Sequence, residues 1–166
     1  MKKFLFIDLE GTLVAPFYEN ASINNAHILK PDFMKEKIRL IQPDATFIFS
    51  YALYNEHDKK LYEIWLRQRL ERIFNIDLPA PYSLEDFKNA SEREAGFAPG
   101  SLNLSTLRSL RGGKAGGFVD FINHVFVPLH PQASYTLIDD EVKDGKVLTK
   151  NGSEIHYIDA SSISDE

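Results

Sequence analysis

The strongest limit on how this chain can fold comes from short, largely apolar runs. Each run is followed by an acidic or hydroxyl side chain. The three runs, with the polar residues that follow them, are 4–7 with Asp8, 46–49 with Ser50, and 135–138 with Asp139 and Asp140. Continuous apolar runs of this length are typical of strands buried on both faces, as in parallel sheets. The chain is therefore expected to contain a sheet whose strands end in polar groups.

Helical patterns lie between these strand candidates. They are a helix that begins at Pro31 and carries Met34, Ile38 and Ile41 on one face, a longer helix over 58–74, a short helix opened by the capping residues Ser83 and Asp86, and a helix face made by Phe118, Phe121, Ile122 and Val125. Within 58–74 the predicted apolar stripe consists of Leu61, Ile64, Trp65, Leu70 and Ile73. This alternation predicts an α/β fold, Rossmann-like, in which a mainly parallel sheet carries helices on both faces.

The C-terminal part of the chain predicts a last strand at 155–158. Asp144-Gly145 and Asn151-Gly152 are turn signals that precede it. We expect residues 1–160 to form a single domain, followed by a flexible acidic tail at 161–166.

Composition excludes several classes of function. The chain has 166 residues, no cysteine and a formal net charge of -5. The lack of cysteine excludes disulfides, thiolate zinc sites and cysteine nucleophiles, and the acidic balance argues against bulk binding of nucleic acid or anionic membranes. The apolar run at 4–7 is too short for an export signal, and no stretch is long enough to span a bilayer. We therefore expect a soluble, cytoplasmic protein.

The polar groups that end the strands predict a phosphoryl-transfer site. Ligands of open α/β sheets bind beyond the carboxyl ends of the strands, which would bring Asp8, Ser50, Asp139 and Asp140 to one edge. Carboxylate oxygens suit Mg²⁺, and a carboxylate can attack phosphorus to form an aspartyl-phosphate.

Further residues are available to meet the charge on a transferring phosphoryl group. Lys114, in the glycine-rich segment 112–117, and the hydroxyl groups of Ser50 and Thr12 are candidate phosphate ligands. Glu10, two residues after Asp8, is placed to protonate the leaving oxygen and then to activate water.

These residues match the motifs of a known superfamily. Residues 6–13, FIDLEGTL, resemble the first motif of the haloacid dehalogenase (HAD) superfamily, hhhDxDGT[LV]. Ser50 after its strand is similar to the second motif, and Lys114 near a helix start is similar to the third. The pair Asp139-Asp140 resembles the fourth. All four occur in the superfamily's order.

The resemblance implies a Rossmann-like fold and Mg²⁺-dependent catalysis through an aspartyl-phosphate. By this analogy Asp8 is the nucleophile and a metal ligand, and Glu10 is the general acid and base and offers its backbone carbonyl to the metal. Asp139 binds the metal, while Asp140 binds it or supports its water shell. Ser50 and Lys114 bind the phosphoryl group.

The chain departs from the usual pattern in two ways. Glu10 stands where the second acid is usually Asp, although enolase-phosphatase members similarly carry Asp-x-Glu-Gly-Thr. The stretches 12–50 and 50–114 leave little room for a cap domain, so a capless or minimally capped protein is expected. Capless relatives often act on large substrates or close their sites through oligomer contacts, which makes a homo-oligomer a candidate assembly.

Two interpretations of the function follow. The first is a Mg²⁺-dependent phosphomonoesterase that acts on a small phosphometabolite, a nucleotide or a nucleic-acid 3′-phosphate. The alternative is a catalytically weak or inactive HAD-like module that binds a phosphorylated ligand or a protein partner.

Two assignments around the site stay open. The aromatic residues Phe17, Tyr18, Tyr51 and Tyr54 flank the first two motifs and are candidates to stack on substrate, with ordinary packing as the other interpretation. Arg108 and Arg111 compete with Lys114 as the cation of the third motif.

Overall fold

The protein is described by a computed structural model that covers residues 1–15, 23, 26–103, 105–107 and 112–163. Within these residues the strands are β1 (Lys2–Ile7), β2 (Ala45–Ile48), β3 (Ala133–Asp139), β4 (Gly145–Leu148) and β5 (Glu154–Asp159). The helices are α1 (Pro31–Ile41), α2 (Glu56–Trp65), α3 (Arg67–Phe74), α4 (Leu84–Ala95) and α5 (Gly113–Phe121). A π-helical turn, Ile122–Phe126, continues α5, and a 3₁₀ turn, Ala160–Ile163, follows β5.

The strands form one five-stranded sheet in the order β2-β1-β3-β5-β4. Strands β2, β1, β3 and β5 are parallel to their neighbours, whereas β4 pairs with β5 in the antiparallel sense. The predicted α/β fold with a mainly parallel sheet is therefore confirmed. Since β1 lies between β2 and β3, the carboxyl ends of these three strands meet at one edge of the sheet.

Alternate residues of β1 face the two sides of the sheet, and each side is covered by helices. Phe4 and Phe6 belong to a core with buried residues of α4, α5 and the π-helical turn. Leu5 and Ile7 belong to a second core with buried residues of α1, α2 and α3. Burying one such side chain contributes about 1.5–3 kcal/mol, so both faces hold the central strand firmly in place.

The helix predicted over 58–74 is interrupted at Leu66, where φ is −121° and ψ is −39°. The predicted stripe is wrong in part, because Ile64 and Trp65 are 67% and 48% exposed. Leu70 of the predicted stripe is buried, and the other buried residues lie at intervals of four from it: Tyr62, Leu66 and Phe74. The interruption separates α2 from α3. Tyr62 and Phe74 lie with Leu66 and Leu70 in the core that also contains Leu5 and Ile7 of β1.

The predicted starts of α1 and α4 are both present in the structure. Pro31 is the first residue of α1, and Met34 and Ile38 are buried. The capping box of α4 is present, with the Ser83 side chain accepting the Asp86 N–H and the Asp86 side chain accepting the Ser83 N–H. These caps satisfy backbone donors that have no partner inside the helix.

The segment after β3 differs most from the expectation. Strand β4 lies between the two predicted turns, and the sequence pattern does not predict it, because all of its residues are exposed and it lacks an apolar run. The 3₁₀ turn extends to Ile163 and so includes the first residues of the expected tail at 161–166, whose last three residues lie outside the described part of the chain. No helix in the described part of the chain is both long and apolar enough to cross a membrane.

Candidate active site

The carboxyl ends of β1 and β3 bring Asp8, Asp139 and Asp140 together. Ile7 lies opposite Ile138 in the sheet, and the Asp8 N–H donates to the Ile138 carbonyl oxygen at 3.1 Å. One carboxylate oxygen from each of the three aspartates lies within 4.8 Å of the others. Asp8 and Asp139 are buried, while Asp140 is exposed, so the group is open to solvent on the Asp140 side.

Lys114 places a buried ammonium group between two of these carboxylates. It lies in the first turn of α5, after Gly112, which adopts a positive φ of 78° at the helix start. Its Nζ atom is 2.9 Å from Asp8 Oδ1 and 2.5 Å from Asp139 Oδ2. Burial alone would lower the pKa of Lys114, but the charges of Asp8 and Asp139 outweigh it and raise that pKa above its ordinary value.

Two of the three carboxyl groups, those of Asp139 and Asp140, have a raised pKa. Burial first, and then the Asp8 charge, raise the pKa of Asp139 to about 7, although Lys114 acts in the opposite direction. The same two causes raise the pKa of Asp140 to about 6. The ionised group would carry more negative than positive charge, because Lys114 compensates only one of three carboxylates. A bound cation would relieve this repulsion.

A tight turn directly after Asp8 shapes the exposed side of the group. The Leu9 carbonyl oxygen accepts the N–H groups of residues 12–14 at 3.2, 2.9 and 2.9 Å. Gly11 has a φ of 81°, and a Cβ placed on it would lie 2.3 Å from Asp140 Oδ2. Glycine is therefore required at this position both for the backbone conformation and for the close approach of the Asp140 carboxylate.

The turn also contains two further predicted site residues. Thr12 is buried, and its Oγ1 atom has no hydrogen-bond partner among the described residues. Glu10 is partly buried, and its carboxylate is not one of the three that cluster. A backbone rather than side-chain contact of Glu10 with a metal stays a prediction.

Ser50 lies at the same edge of the sheet, after β2. The Phe49 N–H donates to the Ile7 carbonyl oxygen at 3.0 Å, which continues the pairing of β1 and β2 up to this position. The Ser50 side chain is buried, and its Oγ atom accepts the Ala52 N–H at 3.2 Å. With the oxygen used as an acceptor, the hydroxyl proton remains to be donated to a ligand.

Not every acid at this edge joins the group. Asp159 ends β5 and lies opposite Asp139 in the sheet. Its Oδ1 atom accepts the N–H and O–H groups of Ser161 at 2.9 and 2.5 Å. Asp159 therefore stabilises the turn after its own strand, and the three-carboxylate group is not a general property of this edge.

No family model, curated protein or solved structure matches this chain.

The predicted aromatic contacts have different environments. Tyr51 is only 4% exposed and packs in the core next to Lys114, whereas Tyr54 is 52% exposed. For Tyr51 the burial favours the packing interpretation. Phe17 and Tyr18, like Arg108 and Arg111, lie outside the described residues.

Phe49 and Gly117 lie near Lys114, although the sequence pattern does not indicate a role for either at the site. The Phe49 ring centroid is 5.8 Å from Lys114 Nζ. Gly117 is packed against the Tyr51 hydroxyl group, where a Cβ would come within 2.5 Å of the phenolic oxygen. The signal available in the sequence was a glycine three residues after Lys114, which is the spacing of neighbours on one face of a helix.

Proposed function

We propose that this protein is a Mg²⁺-dependent phosphohydrolase in which Asp8 is the nucleophile. The observation that carries the proposal is the arrangement of Asp8, Asp139 and Asp140 within 4.8 Å, with the Lys114 ammonium bound to the first two. Both the donor set and its order along the chain support membership of the HAD superfamily, which is part of the same proposal.

The three aspartates fit a hard divalent cation. Oxygen ligands around one Mg²⁺ lie within a few ångströms of one another, as these carboxylate oxygens do. Asp8, Asp139 and Asp140 would hold the ion, and the exposed Asp140 side leaves room for water and a phosphate oxygen. When bound, Mg²⁺ supplies positive charge to the transferring phosphoryl group and orients it.

Asp8 is the group best placed to attack phosphorus. The Lys114 ammonium holds one of the Asp8 oxygens at 2.9 Å, which restricts the orientation of the carboxylate. Attack forms a bond between an Asp8 oxygen and phosphorus as the bond from phosphorus to the leaving oxygen breaks. Glu10 donates a proton to that oxygen. In the second step Glu10 accepts a proton from a water molecule, whose oxygen bonds to phosphorus as the bond from phosphorus to the Asp8 oxygen breaks.

The remaining donors bind the phosphoryl oxygens. The Ser50 hydroxyl has its proton available, and the Thr12 hydroxyl is buried and has no partner among the described residues. Together with the Lys114 ammonium they supply the donors that a transferring phosphoryl group requires.

Hydrolysis of p-nitrophenyl phosphate by the purified protein in Mg²⁺ tests the nucleophile. Asp8→Asn should lower turnover by about 10³-fold or more, because removal of a nucleophile eliminates the covalent route. EDTA should abolish turnover, and added Mg²⁺ should restore it. Asp159→Asn is the matched control, since this acid ends a neighbouring strand but binds Ser161 instead of joining the group.

Full activity of the Asp8→Asn variant would contradict the proposal. A panel of phosphometabolites, nucleotides and 3′-phosphorylated oligonucleotides then identifies the substrate class. If no member is hydrolysed but one binds only in the presence of Mg²⁺, the result favours the alternative of a non-catalytic module that binds a phosphorylated ligand.

A further inference from the structure

The Lys114 ammonium is enclosed by aromatic rings as well as by carboxylates. Its Nζ atom lies 5.1 Å from the centroid of the Tyr51 ring and 5.8 Å from that of Phe49. A cation at such a distance is attracted to the negative face of an aromatic ring, most strongly where water is excluded. The ammonium is thus held by two carboxylates and lies next to two aromatic rings.

The Tyr51 ring is itself held in place by the core. Its centroid lies 5.8 Å from that of Phe49 and 5.6 Å from that of Phe87, which is on α4. The ring has little freedom to rotate, since a densely packed interior resists displacement of a side chain. Tyr51 therefore presents a fixed surface to Lys114.

Gly117 makes room for this ring on the same helix that carries Lys114. Residues three apart are neighbours on a helix surface, so Gly117 and Lys114 share one face of α5. A Cβ on Gly117 would lie 2.5 Å from the Tyr51 hydroxyl oxygen but 3.9 Å from Cζ, an ordinary contact distance. Glycine is unfavourable inside a helix, and the close approach of the phenol is a reason for its presence here.

We infer that Tyr51 and Gly117 form a positioning pair that keeps the Lys114 ammonium between Asp8 and Asp139. This inference rests on the proposed function, in which Lys114 orients the nucleophile and binds the phosphoryl group. Tyr51 acts through Lys114 and is a positioning residue, so its loss should affect the rate of the chemical step more than substrate binding.

Three variants test the pair in p-nitrophenyl phosphate hydrolysis with Mg²⁺. Tyr51→Leu removes the ring, and Gly117→Ala displaces it through its hydroxyl group. Each should lower kcat by about tenfold or more, with a smaller change in KM. A small displacement of the Lys114 ammonium is expected to slow the chemical step strongly. The double variant Gly117→Ala with Tyr51→Phe lacks the oxygen that collides with the Cβ, so its kcat should return close to that of Tyr51→Phe alone.

A second measurement does not depend on turnover. In protein labelled with ¹³C at the lysine ε carbon, the Lys114 signal is identified as the one lost in Lys114→Met. The neighbouring rings should shift its proton resonances upfield. Tyr51→Leu and Gly117→Ala should reduce that shift, and the double variant should restore it. Tyr82→Leu is the control, since the Tyr82 ring packs in the same core with its centroid 4.8 Å from that of Phe121.

The results separate the inference from the proposed function. If no phosphate is hydrolysed but the Lys114 signal responds as described, the positioning pair stands and the proposed reaction fails. If the signal is unchanged in both Tyr51→Leu and Gly117→Ala, or if Tyr82→Leu has the same effect on kcat, the inference is overturned. Should Tyr51→Leu fail to fold, Gly117→Ala and its rescue by Tyr51→Phe decide the matter.

Discussion

Gly11 lies in the turn after β1, directly against the carboxylate of Asp140. Its positive φ is combined with direct contact, because a Cβ would collide with the Asp140 carboxylate at 2.3 Å. A substitution here has two separable effects, one on the backbone and one on the position of Asp140.

The Gly11→Ala variant should therefore bind Mg²⁺ more weakly than the wild type by about tenfold or more, since displacing one of three carboxylates removes a ligand or its support. Isothermal titration calorimetry with MgCl₂ measures this affinity directly. We expect the free energy of unfolding to fall by about 1–2 kcal/mol as well, because a left-handed conformation is strained for alanine.

Gly152→Ala is the matched control for the backbone effect. Gly152 has a φ of 85°, and among the described residues no atom lies within 4 Å of the position of a Cβ. It should lose similar stability but keep the Mg²⁺ affinity of the wild type. Equal loss of affinity in both variants would contradict the contact between Gly11 and Asp140 as the cause.

At the scale of elements, helix α4 holds the segment after it through a buried carboxylate. Glu92 accepts the Gly100 N–H at 3.1 Å and the Leu102 N–H at 2.9 Å. Burial tends to raise the pKa of Glu92, but the N–H groups of Leu102 and Gly100 outweigh it and hold the pKa below its ordinary value. The ionised form is thus favoured by folding.

Glu92→Gln should lower the free energy of unfolding by about 1–3 kcal/mol at neutral pH, since an amide replaces one acceptor oxygen by a donor. A lowered carboxyl pKa contributes stability that is present above the unfolded pKa of about 4.3. That contribution is lost as the pH falls through the folded pKa. The difference in the free energy of unfolding between the wild type and Glu92→Gln should therefore become smaller in acid. Urea unfolding at several pH values measures it.

Glu85→Gln on the same helix provides the comparison, because Glu85 is exposed. Its effect should stay below about 1 kcal/mol, the usual size of a surface interaction near a helix N-terminus. A difference between wild type and Glu92→Gln that grows in acid would disagree with the assigned direction of the pKa shift.

For the whole molecule, one sheet is shared by two cores. Leu5 and Phe6 are adjacent in β1 but belong to opposite cores. Leu5→Ala and Phe6→Ala should each lower the free energy of unfolding by about 2–5 kcal/mol. Each should also destabilise the core on the opposite face, since both cores depend on the central strand β1.

Two optical probes can follow this coupling. The fluorescence of Trp65, the single tryptophan, reports from α2 on one face, and the near-ultraviolet circular dichroism of tyrosine includes Tyr51, Tyr135 and Tyr157 in the core on the other. We expect both probes to give one unfolding midpoint in the wild type and in both variants. Separate midpoints would show that the two cores unfold independently.

The site was predictable from the sequence to the extent that it depends on strand ends. Asp8, Ser50 and Asp139 each follow or end an apolar run, and parallel strands bring such residues to one edge whatever the details of packing. The helix phase was not predictable in this way. Leu61, Ile64 and Trp65 fit a periodic stripe as well as Tyr62 and Leu66 do, and only packing on the sheet selects between them.

The order of apolar runs, caps and acids along the chain was by itself enough to determine an α/β protein with carboxylates at the ends of its central strands, because these are local properties of the polypeptide. Tertiary structure decided which distant residues meet. Lys114 lies between Asp8 and Asp139, and Gly117 accommodates Tyr51, because α5 packs on the face of the sheet that carries Phe6. Such contacts depend on the packing of whole elements, which no short stretch of sequence specifies.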